Sequence, residues 1–282
     1  MSSTPVPSDR VAALRARLAA FPSLLVGYSG GVDSAVVAVL ARQALGRDRS
    51  VAALGRSPSV SRVQLEQARD IAEQFDLRFV TIDTHEFEDA EYAANSTERC
   101  FFCKRELWVR LSAFARDEGL AAMADGTNAD DLGEHRPGLR ATEGCGVVSP
   151  LAGAGFTKPA VRAVARELGI PIWNAPSAPC LASRVMYGLA VTDSRVRQVE
   201  EGEALLRAIG VDGDLRVRHR GDEARIEVPP SSFALVRRHR DDIGARLLDL
   251  GFRSVTLDLA GYQRGSQLTG GATSVEVLAG EG

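Results

Sequence analysis

A short glycine-rich segment, Ser-Gly-Gly-Val-Asp-Ser at residues 29–34, carries the first chemical signal in this sequence. It follows an apolar run typical of a buried strand and opens a helical stretch that extends through Leu45. Glycines tolerate a positive φ and let the backbone approach a ligand, and free N–H groups with the helix dipole favour a phosphate there. The hydroxyls of Ser29 and Ser34 can donate to phosphate oxygens. Asp33 would repel phosphate, so we expect a Mg²⁺ ion or a helix-start donor beside it.

This segment matches neither of two common phosphate-binding loops. It lacks the Gly-Lys-Ser/Thr ending of a Walker A loop and the Gly-x-Gly-x-x-Gly fingerprint of dinucleotide-binding folds. The alternative is a plain strand-to-helix turn, which a bare Gly-Gly pair would usually be. The full string in its strand–helix context favours phosphate binding.

Three cysteines form the second chemical pattern. Cys100 and Cys103 stand one short turn apart, and the flanking Arg99 and Lys104 favour their thiolate forms. Cys180 lies far downstream, in the string Pro-Cys-Leu-Ala-Ser-Arg. Three thiolates can bind three irons of a [4Fe-4S] cluster and leave the fourth iron open, whereas a structural zinc ion wants four ligands. Packing in the core is the third possibility, because cysteines are often buried.

An alternating basic pair marks the C-terminal part of the chain. Arg216 and Arg218 stand two apart on a predicted strand, so both side chains point to one face. Their planar guanidinium groups suit a phosphate or a carboxylate, and His219 and Arg220 add to the same patch. The alternative for the pair is a solvated sheet face.

Strands and helices alternate in the part of the chain that must position the glycine-rich segment. Strands are predicted at residues 24–28, 51–54, 79–82 and 121–124, and helices at residues 8–21, 60–76, 102–118 and 157–168. This alternation predicts an α/β fold with a parallel sheet covered on both faces. Open sheets of this kind bind ligands at the carboxyl ends of their strands.

The pattern changes near residue 172. Helices at residues 193–209 and 231–250, with strands at residues 214–219, 224–228 and 254–259, predict a smaller α+β domain. The predicted boundaries are therefore 1–172 for the first domain and 173–266 for the second. Residues 267–282 are rich in Gly, Ser and Thr and are predicted to be a disordered tail.

Composition and charge restrict the class of protein. The chain has 282 residues and a formal net charge of −3, which argues against a protein held to nucleic acid by bulk charge. No apolar run is long enough to predict a membrane span, and the first residues lack a signal pattern. We therefore expect a cytoplasmic protein without membrane or nucleic-acid partners. Disulfides are rare in that compartment, and Cys145 has no partner pattern.

The string at residues 29–34 resembles the PP-loop of the adenylating ATP pyrophosphatases. Residues 53–58 resemble the segment with which that family reads adenosine, and residues 125–131 resemble its Gly-Thr-Asn loop near the nucleotide. The resemblance implies a Rossmann-like PP-loop domain that binds ATP and Mg²⁺. The implied nucleotide-binding residues are Gly27, Ser29, Gly30, Gly31, Asp33, Ser34, Ser57, Gly126, Thr127 and Asn128, with Asp33 near the magnesium ion.

The cysteine strings and the Arg-Val-Arg-His string at residues 216–219 narrow the resemblance to the LarE family. These are ATP-dependent sulfur transferases of nickel-pincer nucleotide biosynthesis. The resemblance extends over most of the chain and implies a reaction. ATP adenylates a carboxylate of pyridinium-3,5-biscarboxylic acid mononucleotide, and sulfur then displaces AMP to leave a thiocarboxylate.

The same resemblance implies residue roles and assembly. In one branch of the family, a cysteine matching Cys180 gives up its sulfur and becomes dehydroalanine. Another branch adds a pair matching Cys100 and Cys103 and carries a [4Fe-4S] cluster with a bound sulfide. The pair is present, so we predict the cluster type with Cys180 as a ligand, in a homo-oligomer. The implied substrate-binding residues are Arg184, Glu203, Arg216 and Arg218.

Three other functions remain open. A PP-loop tRNA thiolation enzyme would want an RNA-binding appendage or a basic face, and neither is evident. An amide-forming adenylating synthetase would want a glutaminase domain, for which the length leaves no room. A regulatory module would bind ATP without turnover, and it gives no reason for the three cysteines.

Overall fold

The computed structural model describes residues 8–133, 137–176, 179–263 and 274–280. The chain divides into two compact units, Met1–Glu86 with Glu98–Ala178, and Phe87–Thr97 with Pro179–Gly282. The predicted change near residue 172 lies close to the second junction. No sequence pattern indicates that residues 87–97 join the later unit, because their one short helix is too brief to show periodicity.

A parallel sheet forms the centre of the first unit, in the order β3-β2-β1-β4 within the described residues. Its strands are β1 Leu24–Gly27, β2 Ser50–Arg56, β3 Arg78–Asp83 and β4 Ala122–Ala124. β1 and β2 are apolar without alternation because both of their faces are buried. The predicted Rossmann-like α/β fold is confirmed.

Helices pack on both faces of this sheet. The helices that the structure describes in the two units together are, in chain order, α1 Ser8–Ala19, α2 Val32–Leu45, α3 Arg62–Gln74, α4 Ala90–Ala93, α5 Arg99–Asp117, α6 Pro137–Gly144, α7 Pro150–Gly153, α8 Lys158–Glu167, α9 Asp193–Ala208, α10 Phe233–Arg238 and α11 Arg240–Asp249. One face of the parallel sheet is covered by a core around Val36 and Leu40 of α2. The other is covered by Trp108 and Leu111 of α5.

The second unit contains a mixed sheet, ordered β5-β6-β7-β8 in the part of the chain that the structure describes. Its strands are β5 Arg216–Arg220, β6 Glu223–Glu227, β7 Ser254–Asp258 and β8 Val275–Gly280. β6 and β7 run parallel, while β5 and β8 are antiparallel to their neighbours. Together with α9, α10 and α11 they form the smaller domain with its own sheet.

Two predictions for this unit need correction. The single helix predicted over residues 231–250 is interrupted at His239, whose φ of −102° and ψ of 18° end α10 and precede α11. The predicted tail, residues 267–282, contains strand β8, because Val275 and Val277 suit an extended chain beside β7 despite the Gly-rich flanks. Residues 264–273, 281 and 282 lie outside the described ranges.

Among the helices that the structure describes, none is both long enough and apolar enough to cross a lipid bilayer.

Candidate functional site

The glycine-rich turn lies between β1 and α2, at the carboxyl end of β1. The Oγ atoms of Ser29 and Ser34 are 3.1 Å apart. Ser34 Oγ also accepts from the amide of Ser29 and donates to the carbonyl of Gly31, each at 3.1 Å. Gly30 has a φ of +74°, and a Cβ there would lie 2.8 Å from the Cβ of Ala68, so this position requires glycine. Hydrogen bonds within the turn thus fix its shape.

Helix α3 contacts the same turn through two side-chain amides. The side-chain amide of Gln64 donates to the carbonyl of Ser29, and that of Gln67 donates to the carbonyl of Gly30, both at 2.9 Å. The first N–H groups of α2 have no partner inside the helix and are available to a phosphate. Neither glutamine was predicted from the sequence, although two amides three residues apart on one helix face were a usable signal.

The loop after β4 packs directly against this turn. A Cβ at Gly126 would lie 2.6 Å from the backbone nitrogen of Ser34, so the missing side chain lets the two backbones touch. Asp125 accepts hydrogen bonds from the amide of Thr127 at 3.0 Å and from its hydroxyl at 2.5 Å. The structure therefore brings Gly126, Thr127 and Asn128 beside the glycine turn, where neighbouring parallel strands end.

Asp33 forms an ion pair with Lys158, the first residue of α8. The side-chain nitrogen of Asn128 lies 3.5 Å from the other carboxylate oxygen of Asp33, and the backbone amide of Lys158 donates to Asp130 at 2.8 Å. Lys158 was not predicted from the sequence. A cation in the first turn of a helix opposes the helix dipole, and that unfavourable placement was a signal for a nearby anion.

Replacing Lys158 with alanine is expected to lower kcat/KM for ATP by about a hundredfold, because the predicted phosphate-binding turn loses a positioned charge. Pyrophosphate release at varied ATP concentration measures the effect. Arg166→Ala, on the exposed face of the same helix, is the control. Unchanged ATP dependence in Lys158→Ala would place the ammonium group outside the nucleotide site.

Two other predicted residues lie at neighbouring strand ends. Ser57 sits in the turn between β2 and α3, and its hydroxyl accepts from the amide of Ser59 at 3.3 Å. Gly27 ends β1, and a Cβ there would lie 2.6 Å from the ring of Trp108. Gly27 therefore permits α5 to pack closely under the strand that carries the turn.

The four cysteines are free thiols. Cys100 is exposed and Cys103 is partly buried, and both lie in the first turns of α5. Residues three apart on a helix share a face, so both thiols are on the same side of α5. Lys104 lies over the ring of Trp108, with 5.8 Å from Nζ to the ring centroid. Cys145 packs beside the same apolar cluster.

Cys180 belongs to the second compact unit, whereas the pair on α5 belongs to the first. It precedes the short 3-10 helix Leu181–Arg184 and forms its N-cap. Across the described ranges, no three His, Cys, Asp or Glu side chains are grouped so that they could hold a metal ion. The iron–sulfur cluster therefore stays a prediction.

The second unit buries the three predicted arginines, with 5% of Arg184, 6% of Arg216 and 8% of Arg218 exposed. Arg184 and Glu203 form a two-point pair, with Nε–Oε1 and Nη2–Oε2 distances of 2.9 and 3.1 Å. Arg218 Nε donates to Glu227 at 3.0 Å. The alternative of a solvated sheet face for the arginines is wrong, because this face of β5 is covered.

Arg216 is held by different partners. Its Nη1 donates to the carbonyl of Leu215 at 2.6 Å, and its guanidinium lies 5.0 Å from the ring centroid of Tyr262. Burial lowers the pKa of Arg216, and the positive charge of Arg184 lowers it further. Three guanidinium groups and two carboxylates sum to a charge of +1, which suits a bound anion.

His219 lies on the opposite face of β5, which corrects its assignment to the arginine patch. It is 3% exposed, and its ring centroid is 4.9 Å from that of Phe252. Its Nε2 is 2.9 Å from Oε1 of Gln198, whose amide nitrogen donates to the carbonyl of Leu250, so Nε2 carries the proton. Within the described residues, Nδ1 has no hydrogen-bond partner.

The pKa of His219 is lowered to about 4, first by burial and then by the charge of Arg195. The unfolded chain therefore binds more protons than the folded protein between about pH 6.5 and 4. The contribution of His219 to the free energy of unfolding is fully present above that window. It is lost as the pH drops through the window, by at most about 3 kcal/mol. Urea unfolding across this range should show a shallower pH dependence for His219→Gln than for wild type. His85→Gln, at an exposed histidine, is the control, and equal slopes for His219→Gln and wild type would contradict the assignment.

The first unit defines the class of protein, an ATP-using α/β enzyme. Residues 9–183 match the family model described as NAD synthase. An NH(3)-dependent NAD(+) synthetase of Chlorobium phaeovibrioides is 32% identical over 56% of this chain and 58% of its own length. The glycine-rich turn lies within the matched residues, as expected for a member of the PP-loop superfamily.

Longer matches narrow the class to one family. The chain is 34% identical to the pyridinium-3,5-bisthiocarboxylic acid mononucleotide synthase of Lactiplantibacillus plantarum, over 92% of this chain and 93% of that protein. It is 39% identical to protein slr1717 of Synechocystis, over 86% of this chain and 90% of that protein. The chain belongs to the LarE family of PP-loop ATP pyrophosphatases and is an ATP-dependent sulfurtransferase.

Proposed function

We propose that this enzyme converts a carboxylate of pyridinium-3,5-biscarboxylic acid mononucleotide into a thiocarboxylate during nickel-pincer nucleotide biosynthesis. The observation that carries the proposal is the 34% identity, across 92% of the chain, to a protein named for the bisthiocarboxylic product. Two features of the structure support it. The first unit has the glycine-rich turn between β1 and α2, and the second has a buried arginine cluster suited to an anionic substrate.

The first step is adenylation. A carboxylate oxygen of the substrate attacks the α-phosphorus of ATP, the bond to the bridging oxygen breaks, and pyrophosphate leaves. Such a step needs positioned charge more than a strong acid or base. The departing pyrophosphate is proposed to be held by three sets of groups. These are the amides that begin α2, the hydroxyls of Ser29 and Ser34, and the ammonium of Lys158.

Asp33 is the proposed protein ligand of a magnesium ion. Mg²⁺ is usually bound by one or two carboxylates together with phosphate oxygens, and Asp33 is a partly exposed carboxylate in the first turn of α2. The residues therefore fit such an ion. Its Lys158 partner would balance the carboxylate before ATP binds, and the bound ion would supply charge neutralisation to the phosphates.

The substrate's anionic groups are assigned to the second unit. Arg184 and Arg218 are held in fixed directions by Glu203 and Glu227, so their charges are positioned before a ligand arrives. Arg216 stands beside them with a lowered pKa caused first by burial. Their positioned charge would favour the substrate phosphate or carboxylate over neutral groups.

Sulfur replaces AMP in the second step. A sulfur nucleophile attacks the acyl carbon of the adenylate, the bond to AMP breaks, and a thiocarboxylate remains once sulfur is released from its donor. Cys100 and Cys103 share one face of α5 and fit two ligand positions of a [4Fe-4S] cluster, with Cys180 proposed as the third. When bound, that cluster would supply a sulfide that the chain itself does not have to sacrifice.

The product distinguishes this function from other PP-loop reactions. The enzyme, ATP, Mg²⁺ and the pyridinium dicarboxylate mononucleotide are incubated anaerobically, and products are resolved by mass spectrometry. We expect AMP, pyrophosphate and a product in which sulfur has replaced oxygen. Formation of ADP, or thiolation of added tRNA with the mononucleotide untouched, would overturn the proposal.

The sulfur source has its own test. Anaerobically purified protein is expected to contain about four iron atoms and labile sulfide per chain. Cys100→Ala should lose the iron, and Cys145→Ala should keep it. Iron-free wild-type protein that forms thiocarboxylate while Cys180 becomes dehydroalanine would replace the cluster route with the sacrificial one.

A homo-oligomer in the cytoplasm completes the proposal, on the basis of the family resemblance. Sedimentation velocity of the purified chain is expected to show a species larger than the 30.1 kDa monomer. A monomer at micromolar concentration would remove that part of the proposal.

A further inference from the structure

A short segment from the first half of the chain, Phe87–Thr97, belongs to the second compact unit. Tyr92 within it is buried, and its ring centroid lies 5.3 Å from that of Phe87. The carbonyl of Ala93 accepts from the amide of Val191 at 2.9 Å. The segment therefore packs on residues 185–191, which follow the Pro-Cys-Leu-Ala-Ser-Arg string.

Asn95 is the polar centre of this packing and is 0% exposed. Its side-chain amide donates to the carbonyls of Met186 and Leu189, each at 2.9 Å, and lies 3.3 Å from the carbonyl of Val185. The backbone carbonyl of Asn95 accepts a hydrogen bond from the backbone amide of Gly188 at 3.1 Å. We call this arrangement the Asn95 clasp.

The backbone of Asn95 is also unusual. Its φ of 54° lies in the left-handed region, which asparagine tolerates better than most residues. Asparagine thus combines the required backbone with two N–H donors directed at the loop. An aspartate of the same shape would place a carboxylate against carbonyl oxygens, with no hydrogen to donate.

The loop held by the Asn95 clasp, residues 185–189, directly follows Cys180 and Arg184, which are proposed to act in the reaction. The guanidinium of Arg184 donates to the carbonyl of Cys180 at 3.0 Å. Val185 forms a bridge with His219 of β5, and the amide of Met186 donates to the carbonyl of His219 at 3.0 Å. The segment is therefore fixed by Arg184 and β5 on one side and by the clasp on the other.

We propose that Asn95 is a positioning residue for sulfur transfer, because its clasp holds residues 185–189 and thereby the geometry of Cys180 and Arg184. The inference rests on the proposed function of those two side chains. Asn95 itself touches neither substrate nor cofactor in this proposal and acts through the backbone of the loop. A displacement of about 1 Å in a reacting group can cost about a hundredfold in rate.

Asn95→Gly tests the side-chain amide without changing the backbone conformation, since glycine keeps the left-handed φ and removes only the side chain. We expect thiocarboxylate formation to fall at least about tenfold while KM for ATP is unchanged. Hydrogen exchange of residues 185–191 should become at least about tenfold faster, with β1 and α2 unaffected. Asn174→Gly, at an exposed asparagine, is the matched control.

A second variant keeps the test decisive. Asn95→Asp tolerates the same backbone but has no hydrogen to donate, so it should lose activity as glycine does. Wild-type exchange of residues 185–191 in Asn95→Gly would overturn the clasp. Wild-type sulfur transfer from a variant with faster exchange in that segment would overturn the positioning role.

Failure of the proposed function is a separate result. The wild-type enzyme would then form no thiocarboxylate, whereas the exchange of residues 185–191 and the alkylation rate of Cys180 would still report on the clasp. Faster alkylation of Cys180 in Asn95→Gly, with Cys145 unchanged, is the expected outcome of that second readout.

Discussion

Replacing Gly126 with alanine is expected to lower ATP-dependent pyrophosphate release by about a hundredfold. The added Cβ would lie 2.6 Å from the backbone nitrogen of Ser34 and 2.9 Å from its Cα. Backbone atoms at the start of α2 cannot swing aside as a flexible side chain can, so either the loop or the helix must move. The PP-loop and the loop after β4 would then no longer present their groups to one nucleotide.

Gly133→Ala is the matched control, because a Cβ there meets nothing within 4 Å among the described residues. It should release pyrophosphate at the wild-type rate and unfold at the wild-type temperature. Pyrophosphate release is followed by a coupled assay in both variants, with circular dichroism to confirm folding. A folded Gly126→Ala enzyme with wild-type activity would show that the two loops need not touch during the reaction.

Cys180→Ala is expected to reduce thiocarboxylate formation by on the order of a thousandfold or more, as for other losses of a central reacting group. In the cluster route the variant lacks one iron ligand, and in the sacrificial route it lacks the sulfur itself. Adenylation is proposed to depend on the PP-loop and not on Cys180, so about one equivalent of pyrophosphate per enzyme should still appear. Comparing the amounts of pyrophosphate and thiocarboxylate that the variant forms therefore separates a defect in sulfur transfer from a defect in adenylation.

Cys145→Ala provides the comparison, since Cys145 is partly buried beside the Trp108 cluster and has no assigned chemistry. It should form thiocarboxylate at nearly the wild-type rate. Single-turnover reactions quenched at intervals and analysed by mass spectrometry measure both products. If Cys180→Ala matches Cys145→Ala, then sulfur passes through another group.

The parallel sheet could be predicted from sequence because its signals are local and strong. β1 and β2 are short apolar runs without alternation, as strands buried on both faces must be, and each is followed by a helical period. β8 was missed for the opposite reason. Its valines lie among glycines, and its pairing with β7 is a tertiary contact that composition does not report.

The glycine turn was also readable from sequence, because the residues that form it are consecutive. Gln64, Gln67 and Lys158 were not, since they reach the turn from α3 and α8 and only the fold makes them neighbours. The faces of β5 show the same limit. Strand alternation placed Arg216 and Arg218 together, but only the packed unit shows that both are buried.

Asn95 illustrates why a local pattern can mislead. It stands in a stretch without clear periodicity, five positions before Cys100, and read alone it is an ordinary turn residue. Its role depends on carbonyls of residues 185, 186 and 189, about ninety positions away. A backbone left-handed at asparagine and three distant acceptors are properties of the folded unit.

We infer that ATP activates the substrate by adenylation of a carboxylate, and an isotope label tests this step. The enzyme is incubated with unlabelled ATP and with the pyridinium dicarboxylate mononucleotide labelled with oxygen-18 in its carboxylates. Because the carboxylate oxygen leaves with the phosphate of AMP, one labelled oxygen should appear in AMP for each thiocarboxylate formed. AMP without the label, or ADP with labelled phosphate, would contradict the claim.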